Sequence, residues 1–128
     1  MEQKKLKILS VEDDSIIGEM LIIMLNNVGY DAVLAENGIE ALEFYKEELQ
    51  NGKPFDLVIS DLGMAEMDGI TLSKELKKIN PNIPFILLTG FSAIIRQEDL
   101  EKLDYVLNKP VVIDELKETI SKIMDGKS

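Results

Sequence analysis

The chain has 128 residues, enough for one domain that buries roughly 65–70% of the surface its unfolded chain would expose. Its 24 acidic residues against 14 basic ones leave a net charge of −10, which repels a phosphate backbone, argues against nucleic-acid binding and leaves proteins and cations as expected partners. With no cysteine and no histidine, disulfides, thiolate metal sites and imidazole chemistry are excluded, so carboxylates, hydroxyls and amines must carry any reaction.

The opening Met1-Glu2-Gln3-Lys4-Lys5 leads into a short apolar stretch that meets an acidic cluster at Glu12, too soon for a signal-peptide core. That stretch, Leu6–Val11, is the first strand candidate. A helix follows with Ile16, Ile17, Met20, Leu21, Met24 and Val28 along one stripe, opened by Asp14 or Ser15 as cap and closed by Gly29. Within it lies the longest apolar run, Met20–Leu25, far below the roughly 20 residues that span a bilayer. A soluble, cytoplasmic protein with no membrane partner is expected. The pattern then alternates: strand Asp31–Ala35, helix Gly38–Leu49, strand Leu57–Ser60, helix Ile70–Ile79 stopped by Asn80-Pro81, and strand Pro84–Thr89. A helix within Ser92–Lys102, strand Tyr105–Asn108 and a last helix with Val112, Leu116, Ile120 and Ile123 on one stripe complete the series. Five βα repeats of this kind predict an α/β fold wound on both faces of a parallel sheet. The first, third and fourth strands are nearly all apolar and should be central, covered on both faces. No repeat, low-complexity tract or linker interrupts the chain, so residues 1–128 are expected to form one domain, with Asp125–Ser128 a fraying tail.

Four polar signals end apolar runs: Glu12-Asp13-Asp14, Asp61, Thr89 and Lys109. In such sheets ligands bind at the carboxyl ends of the strands, and all four fall there. The acidic trio reads either as a helix cap complementing the dipole or as oxygen ligands for a hard cation such as Mg2+. Asp61 alone could be a turn residue, Thr89 an ordinary strand end and Lys109 a solvated lysine.

The segment Asp61-Leu62-Gly63-Met64-Ala65-Glu66-Met67-Asp68-Gly69 resembles the DxxMPxMDG signature of bacterial response-regulator receiver domains, and Lys109-Pro110 resembles that family's K-P pair. The resemblance covers nearly the whole chain. It implies a doubly wound α/β fold of flavodoxin/CheY-like type, a five-stranded parallel sheet in the order 2-1-3-4-5 flanked by five helices. It implies that Asp61 accepts a phosphoryl group from a phosphohistidine on a partner histidine kinase or phosphotransfer protein, with Mg2+ offsetting the charge. Asp13, Asp61 and the backbone carbonyl of Gly63 would ligate the metal, with Glu12 acting through a metal-bound water. Thr89 would hydrogen-bond a phosphoryl oxygen, and Lys109 would hold the group by charge-assisted bonds. Such a chain signals by altered contacts with a downstream protein, or with a second copy through the last two helices and fifth strand. It is a phosphoacceptor rather than an enzyme, and is stand-alone or part of a hybrid histidine kinase or of a larger regulator. A phosphorylation-independent, receiver-like interaction module is the alternative.

The chain departs from the family pattern in places. Ala65 stands where proline is usual, which loses a fixed φ but no ligand. The aromatic residue often found three before the K-P lysine is Val106, with Tyr105 one residue earlier and so on the opposite face of a regular strand. A switch by ring rotation is therefore not expected. Gly63 and Phe91, two beyond Asp61 and Thr89, offer no acid or amide to orient a hydrolytic water, so slow self-dephosphorylation is expected. Met64 should plug the core under its loop and Gly69 serve the turn. A flavin binder of the same architecture is disfavoured by the acids at Glu12–Asp14, and a haloacid-dehalogenase-type phosphatase by Gly63 where its DxD signature needs an acid.

Overall fold

The structure, a computed structural model, describes residues 5–90, 95–101 and 103–126. Phe91 and the opening of the proposed Ser92–Lys102 helix lie outside the described residues. Five strands, β1 (Lys7–Val11), β2 (Asp31–Ala35), β3 (Leu57–Asp61), β4 (Phe85–Thr89) and β5 (Tyr105–Asn108), alternate with helices α1 (Ser15–Val28), α2 (Gly38–Gln50), α3 (Gly69–Ile79), α4 (Gln97–Leu100) and α5 (Ile113–Asp125). All strand pairs are parallel, in the order β2-β1-β3-β4-β5, so the order in which strands are added reverses between β1 and β3.

The apolar strands are indeed the inner ones. Every residue of β3 and β4 is buried, whereas β5 at the edge runs from exposed to half-buried. Alternation along β1, β3 and β4 sends Leu9, Val58, Phe85 and Leu87 to one face and Ile8, Ile59, Ile86 and Leu88 to the other. The first face is covered by Ala41 and Tyr45 of α2 and Leu72 and Leu76 of α3, the second by Leu21 and Leu25 of α1 and Leu116, Ile120 and Ile123 of α5. The short α4 is bracketed by Ile95 and Leu103, which pack on the α2–α3 side.

Caps fix where the helices begin. Asp14, Asn37 and Asp68 each accept a hydrogen bond from the first turn of α1, α2 and α3, and Gly29 ends α1 at φ 112, where a side chain would be strained.

One expectation fails on α1. Ile16, Ile17 and Met20 are exposed; of the expected stripe Leu21 is buried, and with it the helix buries Gly18 and Leu25. The reason is steric: a Cβ on Gly18 would lie 2.9 Å from Leu34 Cδ1, so the glycine is the point where α1 can press against β2, and that contact sets the helix rotation. On α5, Val112 is the exposed residue before the helix rather than part of its buried stripe. Tyr105 and Val106 lie opposite Ile86 and Leu87, which face different cores, so the two side chains sit on opposite faces as the alternation predicts.

Candidate functional site

The polar signals converge at the carboxyl edge of β1, β3, β4 and β5. β1 continues one hydrogen bond past its end, from Glu12 N to Ala35 O (3.0 Å), which turns the Glu12 side chain into the protein, where it is 5% exposed. The acidic trio then divides its labour. Asp14 caps α1 through the amides of Ile16 and Ile17, Asp13 stays exposed, and Glu12 accepts from the Asp14 amide at 3.3 Å.

Asp61 closes β3 and is 8% exposed. The chain leaves it under tight steric control. Leu62 N bonds Leu88 O and Gly69 N bonds Leu62 O, both at 2.9 Å, and a Cβ on Gly69 would stand 2.4 Å from the Asp61 carbonyl and 2.6 Å from Leu87 Cδ1. Gly69 is thus where α3 starts directly beneath the Asp61 peptide. Met64 packs on the α2–α3 core as expected, its sulfur 4.0 Å from Ser60 Oγ.

Lys109 extends β5 through a bond from its amide to Thr89 O (2.8 Å) and precedes a cis peptide to Pro110. Its ammonium lies 2.7 Å from Asp61 Oδ1 and 3.6 Å from Glu12 Oε2. Burial opposes that charge, but the Asp61 hydrogen bond and charge, with Glu12 behind them, hold the ammonium above its ordinary pKa. Burial first, and then the Asp61 charge, push the Glu12 carboxyl up despite Lys109.

One carboxylate oxygen from each of Glu12, Asp13 and Asp61 lies within 4.8 Å of the others. All are hard oxygen donors, and a cation would relieve the repulsion among them, so these residues fit Mg2+, which takes one or two carboxylates and keeps several waters. Thr89, 6% exposed at the end of β4, donates its hydroxyl to Gly90 O at 3.3 Å, and Gly63 is exposed two residues past Asp61. The structure therefore brings Glu12, Asp13, Asp61 and Lys109 into one cluster, with Thr89 on the neighbouring strand end.

A cavity of about 560 Å3 opens beside this cluster, reaching Glu12 and Lys109 and walled by Ile17, Met20 and Met24 of α1 against Pro110 and Val111. Sequence reasoning did not find it, because those α1 residues read as core. It also missed Ser10, whose buried hydroxyl on β1 has no hydrogen-bond partner among the described residues.

Residues 8–121 match the family described as the response regulator receiver domain. Over 127 residues the chain is 39% identical to the transcriptional regulatory protein ZraR of Klebsiella oxytoca, covering 97% of this chain but only 27% of ZraR. It is 33% identical over 120 residues to the response regulator receiver protein CpdR of Brucella abortus (strain 2308), covering 92% of this chain and 96% of CpdR. The crystal structure of the response regulator TrrA of Thermotoga maritima in complex with Mg(2+)-BeF superposes with a TM-score of 0.79 at 34% identity, over 94% of this chain and 99% of TrrA. The chain belongs to the response regulator receiver domain family.

Proposed function

We propose that this chain is a phosphoacceptor in two-component signalling, taking a phosphoryl group from a partner histidine kinase or phosphotransfer protein onto Asp61. The observation that carries the reading is the placement of one ammonium, Lys109, on Asp61 and Glu12, with the Asp13 carboxylate alongside. An Asp61 carboxylate oxygen attacks phosphorus, the bond from phosphorus to the histidine nitrogen breaks, and a P–O bond to Asp61 forms. Lys109 then turns its hydrogen bond from Asp61 to a phosphoryl oxygen, and the Thr89 hydroxyl exchanges Gly90 O for another. Glu12, Asp13 and Asp61, with the Gly63 carbonyl, would hold Mg2+, which supplies charge neutralisation at the phosphoryl oxygens. In-line positioning matters more here than covalent help, because phosphoryl transfer rests on positioning and electrostatics.

The TrrA complex with Mg(2+)-BeF supports the metal reading by likeness. An apolar surface on α1, with Met20 58% and Ile23 59% exposed, runs beside the site and fits a donor protein that must reach Asp61. Output passes to a downstream protein, or to a second copy, through the face of α4, β5 and α5. Among the described residues no helix is long and apolar enough to cross a membrane. The test is intact mass after incubation with acetyl phosphate: one phosphoryl adduct that requires both Asp61 and Mg2+ supports the reading. No adduct from acetyl phosphate or from a cognate kinase would favour a phosphorylation-independent interaction module.

A further inference from the structure

The loop between β3 and α3 touches the acidic cluster through its backbone. Ala65 N donates to Asp13 Oδ2 at 3.4 Å, joining residues 52 positions apart. Proline, the usual residue of the motif at this place, has no N–H to give, so the bond depends on this chain's departure from the pattern. Ala65 is also held through its carbonyl, in the following peptide. Met67 N bonds Ala65 O at 2.8 Å around Glu66, whose φ of 70 is the one positive value at a non-glycine residue among those described. Those two features make a classic γ-turn, a rare and strained conformation that persists only where its surroundings enforce it. The surroundings are visible: the Met67 side chain lies in the space left by Gly38 at the start of α2, where a Cβ would meet it at 2.9 Å.

We infer that the Ala65 N–H is a positioning group for the cation site, fixing Asp13 through a strained turn anchored on α2. The inference rests on the reading of Glu12, Asp13 and Asp61 as that site. Asp13 is exposed and otherwise free to choose rotamers, unlike buried Glu12 and Asp61. A donor on one carboxylate oxygen fixes the side chain's orientation and leaves the second oxygen for the metal. Hydrogen bonds of this kind behind a ligand are commonly worth 10- to 100-fold in metal affinity, and a long one belongs at the lower end, at about tenfold.

The test is Mg2+ titration by calorimetry on the whole chain, comparing wild type with Ala65→Pro, which deletes the N–H, and Ala65→Gly, which keeps it. The expected result is affinity about tenfold weaker for Ala65→Pro and within about twofold of wild type for Ala65→Gly. Equal affinity for Ala65→Pro and wild type, both folded, overturns the inference while leaving the cation site standing. A wild-type chain that takes up no Mg2+ overturns both. Should Ala65→Pro fail to fold, amide hydrogen exchange decides: the Ala65 amide is expected to be slowed in metal-free wild type and to exchange faster in Asp13→Ala, and no difference between the two would sink the idea.

Discussion

Lys109 Nζ stands 2.7 Å from Asp61 Oδ1 and 3.6 Å from Glu12 Oε2, so a single ammonium answers two buried carboxylates. The contact holds the Asp61 oxygen in place, and under the proposed function the same donor would follow charge onto a phosphoryl group. Removing a donor aimed at developing charge commonly slows a reaction on the order of 100-fold or more. Lys109→Ala is therefore expected to slow phosphorylation by acetyl phosphate about 100-fold while leaving the far-ultraviolet circular dichroism unchanged. A rate within a few-fold of wild type would remove Lys109 from the mechanism.

Gly69 offers a second test, this time of packing. Its missing side chain is the space into which the Asp61 carbonyl and Leu87 fit, at 2.4 and 2.6 Å from where a Cβ would be. Backbone cannot move aside as a flexible side chain can, and overpacking typically costs up to about 3 kcal/mol. Gly69→Ala is expected to lose about that much stability in urea unfolding, and to label more slowly because Asp61 is displaced. Wild-type stability would show that α3 slides freely under β3.

Ser10 should behave in the opposite way. Its hydroxyl is buried on β1 between apolar neighbours and has no partner among the described residues. An unpaired buried hydroxyl costs about 1–3 kcal/mol, so Ser10→Ala is expected to stabilise the fold by about 1 kcal/mol after allowing for the lost volume. Destabilisation in urea would reveal a bound water satisfying the hydroxyl.

The strand ends and the four polar signals were legible because each apolar burst stops at a residue that cannot be buried alone, and the caps at Asp14 and Gly29 mark the first helix. Even the edge strands followed, from the mixed character of Asp31–Ala35 and Tyr105–Asn108. The buried face of α1 was not legible. The helix is apolar nearly all round, so its period points nowhere, and a packing contact between Gly18 and Leu34 decides the rotation. Ala65 was hidden for a different reason: its contribution is a backbone N–H, visible in the sequence only as the absence of proline. The cavity beside Lys109 follows from the same α1 rotation, which leaves Met20 exposed.

Tyr30, half-buried against the core on the α1–α5 side, gives the pH dependence a definite sign. Burial raises its phenol above the ordinary value of 10.0. The folded state thus binds the proton more tightly than the unfolded one, so the contribution is fully present below pH 10.0 and lost as pH rises through the folded value. Lys109, raised above 10.5, acts in the same direction. Stability should fall above about pH 10, with a shallower fall in Tyr30→Phe, as followed by urea midpoints across that range. An identical alkaline slope in the variant would contradict the burial argument.

The most direct measurement of the central claim is to label the protein with acetyl phosphate and Mg2+, reduce it with borohydride, and map the product by peptide mass. Reduction turns an aspartyl phosphate into homoserine and leaves free carboxylates alone. Homoserine is expected at position 61, absent without Mg2+ and absent in Asp61→Asn. Homoserine at Asp13 or another acid, or a phosphoryl adduct that survives in Asp61→Asn, would contradict it.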